Sequence, residues 1–65
     1  MKIILNGSQH DVAGPTLASI LNELGYGDAI VATARNGEFV PGVEREGTVI
    51  EDGDAIEVVA PMQGG

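Results

Sequence analysis

Residues 55–65, AIEVVAPMQGG, contain the segment around which we expect the rest of the chain to be arranged. In its first part, Ile56 and Val58 alternate with Glu57 and Val59, and this period of two predicts a β-strand over residues 55–60. This strand and the one predicted for residues 1–6 are the most apolar of the chain. We therefore expect both at the centre of a sheet.

The five residues that follow, PMQGG, contain nothing that predicts packing against a core. Gly64 and Gly65 carry no side chains, so we expect a thin and mobile tail that ends in the α-carboxylate of Gly65. Five extended residues reach roughly 16–18 Å, which is enough to place this carboxylate in the active site of another protein. The expected organisation is a folded domain over residues 1–60 and a flexible tail over residues 61–65.

The composition fits one small domain and excludes several kinds of site. The chain has 65 residues, of which 43% are hydrophobic, and this is adequate for a compact core. It has no cysteine, which excludes disulfides, zinc thiolate sites and thiol nucleophiles. No apolar run is long enough to span a membrane and no secretory signal is visible, so we expect a cytoplasmic protein.

The charge balance bears on the choice of partner. The chain has ten acidic and three basic residues, which gives a net charge of −7. Nucleic acids and anionic membranes are poor partners for such a surface. A basic patch on a partner protein fits it better, and acidity that only keeps a small protein soluble is an equal alternative.

Turn signals divide the chain into short strands. Two Asn-Gly pairs, Asn6-Gly7 and Asn36-Gly37, predict hairpin turns because both residue types tolerate positive φ. Residues 43–48 are predicted to be a charged connection, and the Asp-Gly-Asp of residues 52–54 to be a tight turn. The predicted strands cover residues 1–6, 9–12, 30–35, 38–40 and 55–60.

One amphipathic helix is predicted between the two hairpins. Its apolar residues follow the spacing i, i+3, i+4, i+7 of a single helix face: Leu17, Ile20, Leu21 and Leu24. Thr16 is suited to the N-cap and Gly25 to the position that ends the helix. A helix of about nine residues is unstable alone, so it is expected to lie on the sheet.

The order β-β-α-β-β-β predicts an α+β fold with a mixed sheet of four to five strands and one helix packed across one face. The first and last strands are expected to run parallel, because a right-handed crossover that contains the helix joins the two hairpin regions. This is the β-grasp, or ubiquitin-like, architecture.

Three segments carry a resemblance to a known family: NGEFVP at residues 36–41, EDGDAIEV at residues 51–58, and the final Gly64-Gly65. The chain resembles the small sulfur-carrier proteins of thiamine biosynthesis, the ThiS type, over nearly its whole length. Two positions depart from the pattern. Arg35 stands where relatives usually have an aliphatic residue, and Gly42 where many have a basic one.

The resemblance implies a carrier that is itself not an enzyme. An adenylating enzyme of the ubiquitin-activating type would use ATP to adenylate Gly65, and sulfur from a persulfide donor protein would then replace AMP to leave a thiocarboxylate. Thiazole synthase would take this sulfur to build the thiazole ring. Met62, Gln63 and Gly64 would thread the partner's active site, and this chain would bind no cofactor and contribute no catalytic side chain.

A docking surface is predicted on the face of the sheet opposite the helix. If Ile3, Leu5, Ile56 and Val58 face the helix, then Ile4 and Val59 point away from it, and Phe39 could join them in an apolar patch. Singly exposed apolar residues are also ordinary on protein surfaces, so both interpretations stay open.

Other functions and sites fit the same sequence less well. The small subunit of molybdopterin synthase shares the fold and the diglycine, and a ubiquitin-like modifier would be joined through Gly65 to lysines of its targets. A non-covalent β-grasp adaptor would have an incidental tail. No metal site is expected, because turn chemistry explains the Asp-Gly-Asp and His10 has no second ligand nearby.

Overall fold

A computed structural model describes residues 1–60 of the chain. Its elements are, in order, β1 (Lys2–Leu5), β2 (Ser8–Asp11), α1 (Leu17–Glu23), β3 (Ala32–Arg35), β4 (Glu38–Val40), a 3₁₀ helix (Gly42–Gly47) and β5 (Ala55–Val59). The predicted tail, residues 61–65, lies outside the described residues. The predicted α+β arrangement, one α-helix and a mixed sheet, is confirmed.

The sheet has five strands in the order β2-β1-β5-β3-β4, so β5 lies at its centre. β5 pairs in parallel with β1, with Ile4 opposite Ala55 and Leu5 opposite Ile56. On its other side it pairs antiparallel with β3, from Ala32 opposite Val59 to Arg35 opposite Ile56. The predicted parallel pairing of the first and last strands is therefore confirmed.

The core lies between α1 and one face of the sheet. The buried helix residues Leu17, Ile20 and Leu21 are those of the predicted apolar stripe, and they share one cluster with alternate residues of β1 and β5. The first turn of α1 is closed by a capping box, in which the Ser19 amide donates to the Thr16 hydroxyl and the Thr16 amide donates to Ser19 Oγ. Within residues 1–60, no helix has the length and apolar character needed to cross a membrane.

Both Asn-Gly hairpin turns form as predicted. Asn6 and Asn36 have φ of 48° and 50°, and the glycines after them have φ of 86° and 85°. These positive values at both central turn residues match the twist of the strands that the turns connect.

The segment predicted as a charged connection forms a 3₁₀ helix instead. Its residue Arg45 is half-buried, and the guanidinium donates from Nε to Thr33 Oγ1 at 3.0 Å and from Nη2 to the Val31 carbonyl at 2.6 Å. These bonds hold the 3₁₀ helix against the start of β3. The strand predicted from residue 30 begins only at Ala32.

A carboxylate organises the turn that leads into β5. Asp54 accepts hydrogen bonds from the Glu51 amide at 2.8 Å, Asn36 Nδ2 at 3.0 Å and Arg35 Nε at 3.0 Å. The Glu51 amide first, and then Asn36 and Arg35, lower the pKa of Asp54 because each stabilises the ionised form. Arg35 thus forms an ion pair with the turn before β5.

Asp54→Ala should lower the free energy of unfolding at pH 7 by about 1–2 kcal/mol, because three donors lose their acceptor. A carboxylate whose pKa is lower in the folded state contributes stability above its unfolded pKa of about 3.9, and this contribution is lost as the pH falls through the folded pKa. The deficit of the variant should therefore decrease below about pH 4. Urea unfolding at several pH values measures it.

The control is Asp28→Ala, since Asp28 is exposed and accepts no hydrogen bond from the other residues described. It should change stability by less than about 0.5 kcal/mol at every pH. A deficit of Asp54→Ala that grows on acidification would contradict the assigned role of this carboxylate.

Candidate functional site

The candidate site is the face of the sheet that α1 does not cover, together with the end of β5. Strand alternation sends Ile3, Leu5, Ile56 and Val58 into the core, and the residues between them to the opposite face. We call this opposite side the open face. By strand register it carries Lys2, Ile4, Gln9, Asp11, Ala32, Ala34, Phe39, Ala55, Glu57 and Val59.

The end of β5 is fixed by a side chain from the first hairpin turn. Asn6 donates from Nδ2 to the Val58 carbonyl at 3.1 Å, and its Oδ1 accepts from the Val58 amide at 2.9 Å. The Asn6 backbone amide also donates to the Ile56 carbonyl at 2.9 Å. The Asn6 side chain therefore continues the pairing of β1 with β5 after β1 itself has ended.

The second hairpin turn holds the start of the same strand. The Ala55 amide donates to Asn36 Oδ1 at 2.9 Å, and the Asn36 amide donates to the Ala55 carbonyl at 2.7 Å. Both Asn-Gly turns thus bind β5, one at each end. Sequence reasoning identified these asparagines only as turn residues, since their contacts with β5 span 52 and 19 positions of the chain.

The three predicted docking residues all lie on the open face and are exposed. The exposed fraction is 37% for Ile4, 69% for Phe39 and 61% for Val59. They do not form one contact cluster. Ile4 is opposite Ala55, and Val59 lies four residues, or roughly 13 Å, farther along β5. Phe39 lies on β4, which is three strand spacings, or roughly 14 Å, from the β1 strand that contains Ile4.

Alanines and the acidic residue Glu57 lie between the three docking residues on the open face. Ala34 is opposite both Phe39 and Glu57, so Glu57 occupies the middle of the open face. Within residues 1–60 the only ion pair joins Arg35 and Asp54, so Glu57 has no cationic partner among them. The alternation of β5 is the signal that places Glu57 on this face.

The structure adds Ile30, a residue that sequence reasoning assigned to a strand. Ile30 precedes β3 and is 83% exposed, and together with Val31, Ala32 and Val59 it lines a shallow apolar cleft. No sequence signal distinguishes it from a strand residue, because isoleucine is common in strands.

The predicted tail residues Met62, Gln63, Gly64 and Gly65 lie outside the described residues. Ala60, the last described residue, follows β5 directly and is exposed. Residues 1–60 contain no group of three or more His, Asp or Glu side chains arranged to hold a metal ion.

Comparison with known proteins gives the family. The model of the ThiS family matches residues 3–65, which include the final diglycine. The sulfur carrier protein ThiS of Thermus thermophilus is 43% identical over 61 residues, which cover 94% of this chain and 95% of that protein.

A longer relative contains a similar segment. A thiazole synthase of Paramagnetospirillum magneticum is 38% identical over 66 residues, and the match covers all of this chain but only 20% of that protein. The chain thus spans about a fifth of the length of this relative.

Among solved structures, the crystal structure of the thiamine biosynthesis protein ThiS from Geobacter metallireducens has a TM-score of 0.84. Its sequence is 30% identical, and the match covers 100% of both chains. The predicted β-grasp fold and the predicted family are both confirmed. This chain belongs to the ThiS family of sulfur carriers.

Proposed function

We propose that this protein carries sulfur in thiamine biosynthesis as a thiocarboxylate on Gly65. The observation that carries the proposal is the family match, which extends through Gly64 and Gly65 and agrees with a sulfur carrier at 43% identity. The fold supports it, because β5, the strand that precedes residues 61–65, is bonded on both sides up to Val58.

The first step would activate the carboxylate. An unactivated carboxylate is a poor acyl donor, because its carbon would have to expel an oxide ion. An oxygen of Gly65 would attack the α-phosphorus of ATP, the bond to the bridging oxygen would break, and pyrophosphate would leave with the electron pair. The product is an acyl-adenylate, whose leaving group is AMP.

The second step would load the sulfur. The terminal sulfur of a donor persulfide would attack the Gly65 carbonyl carbon, and AMP would leave. A thiol would then reduce the acyl disulfide, forming a new disulfide and releasing the thiocarboxylate. Thiazole synthase would accept this sulfur, and a relative that bears this name and contains a segment similar to the whole chain supports that partner.

The glycines would meet a geometric demand of both steps. Inside a channel of the partner enzyme, a carboxylate oxygen of Gly65 must come within about 3–3.5 Å of the α-phosphorus in the first step. Its carbonyl carbon must come equally close to the attacking sulfur in the second. A Cβ at either glycine would widen the chain and restrict φ. Met62, Gln63 and Gly64 would span this channel, and residues 61–65 reach roughly 16–18 Å when extended.

All catalytic side chains would belong to the partner enzymes, so the protein would be a co-substrate that binds no cofactor of its own. ATP would be bound and consumed by the adenylating enzyme. Because this step depends on the ATP pool of the cytoplasm, we also propose that the protein works there.

Ile4, Phe39 and Val59 would contact these partners across the open face. Their exposure and their common face support this role. The net charge of −7 would accelerate encounter with a basic partner surface.

Gly65→Val, or deletion of Gly65, should reduce adenylation by about 100-fold or more, because the terminal carboxylate is blocked or displaced from the α-phosphorus. ATP–pyrophosphate exchange with the purified adenylating enzyme of the same organism measures this rate. Circular dichroism of both variants should match that of the wild type.

The control is Gly47→Ala, since Gly47 is exposed in the 3₁₀ helix and an added Cβ would meet nothing within 4 Å. This variant should be adenylated at the wild-type rate. Intact mass spectrometry of the protein from its own cells should find a species with sulfur in place of one terminal oxygen. Normal exchange by both Gly65 variants, or an isopeptide adduct in place of the thiocarboxylate, would contradict the proposal.

Ile4→Glu should raise the KM of the adenylating enzyme for this protein about tenfold and leave kcat unchanged, because it puts a charge where a partner's surface is expected to lie. The control is Val43→Glu, which adds the same charge on the 3₁₀ helix, where Val43 is 93% exposed. If both variants give the same KM, Ile4 does not take part in docking.

A further inference from the structure

An apolar cleft lies beside the end of β5. It is lined by Ile30, Val31, Ala32 and Val59, and its volume is about 290 Å³. Ala32 and Val59 are opposite each other in the β3–β5 pair, so the cleft lies at the end of β5, where the chain leaves the sheet. None of the lining residues has a polar side chain.

Ile30 is exposed although the backbone around it is held in place. The Val31 carbonyl accepts from Arg45 Nη2 at 2.6 Å, and the Ala29 amide donates to the Tyr26 carbonyl at 2.9 Å. These bonds fix the backbone on each side of Ile30, whose exposed fraction is 83%. A large apolar side chain held outward in this way resembles a preformed contact residue.

Other exposed apolar residues lack this setting. Val43 and Val49 are 93% and 56% exposed, but they lie outside the five strands. The cleft that Val43 lines is mainly polar and includes Arg45 and Glu46. Scattered residues of this kind are ordinary, whereas a continuous apolar lining indicates a contact site.

The position of the cleft relates it to the tail. Gly65 lies five residues after Ala60, so an enzyme that acts on Gly65 must come within roughly 16–18 Å of Ala60. The rim of that enzyme's active site would therefore lie against the part of the open face at the end of β5. Glu57 precedes Val59 by two residues on the same face and adds a negative charge beside the cleft.

We propose that the Ile30–Val59 cleft receives an aliphatic or aromatic side chain from the adenylating enzyme, next to a basic side chain that faces Glu57. The contact would lie on the rim of the channel that takes the tail. This inference rests on the proposed sulfur-carrier function and identifies the surface that aligns the tail before it reacts.

Ile30→Ser should weaken binding to the adenylating enzyme of the same organism about tenfold, as measured by calorimetry with the full-length protein. The KM in ATP–pyrophosphate exchange should rise by a similar factor, while kcat at saturating carrier stays unchanged, because the tail itself is intact. Ile30 is mostly exposed, so the thermal unfolding midpoint should stay close to that of the wild type.

The matched control is Val43→Ser, which replaces another highly exposed aliphatic side chain, on the 3₁₀ helix, with the same hydroxyl and should leave binding and KM unchanged. Glu57→Gln should lower the association rate at low salt and weaken its dependence on ionic strength. Wild-type affinity of Ile30→Ser would overturn the proposal.

The outcomes separate this inference from the proposed function. If wild type and Ile30→Ser react equally while deletion of Gly65 stops the reaction, only the cleft proposal fails. If the wild type itself is not adenylated, both fail. If sedimentation finds a wild-type dimer that Ile30→Ser converts to a monomer, the cleft binds a second copy and the proposed occupant is wrong.

Discussion

The pairing of β5 on both sides is the constraint on which the rest of the structure depends. A strand between a parallel and an antiparallel neighbour has both rows of its backbone polar groups positioned for pairing. The two Asn-Gly turns add side-chain amides at its ends, where Asn36 binds Ala55 and Asn6 binds Val58. The place at which β5 ends, next to Ala60, is therefore set by bonds to β1, to β3 and to both turns.

The two faces of β5 differ in what they contribute to the domain. Ile56 and Val58 face α1 and contribute to the core, whereas Glu57 and Val59 face away from it. Because alternation assigns each residue to one face, the open face can vary in charge and apolar character without disturbing the packing beneath it. A small domain with a marginal core has a particular need of this separation.

Internal bonds to both arginines shape the charge that a partner meets. Arg35 pairs with Asp54 at the turn before β5, and Arg45 binds Val31 and Thr33 from the 3₁₀ helix. Two of the three basic residues thus bond within the fold, whereas nine of the ten acidic residues are exposed. Electrostatic attraction of this kind mainly raises the rate of encounter with a partner rather than the affinity.

The sequence by itself determined the features that depend on near neighbours along the chain. Interactions within a few residues produce the apolar stripe of α1, its Thr16 cap, both Asn-Gly turns and the alternation of β5. The family resemblance is also local, because short motifs carry it. Only the tertiary structure decided what depends on distant residues. Arg45 lies 14 positions from the Val31 carbonyl that it binds, and Asn6 lies 52 positions from Val58. The exposure of Ile30 belongs to the same class, because it results from where β3 starts and how Arg45 holds that start, and no local pattern encodes either.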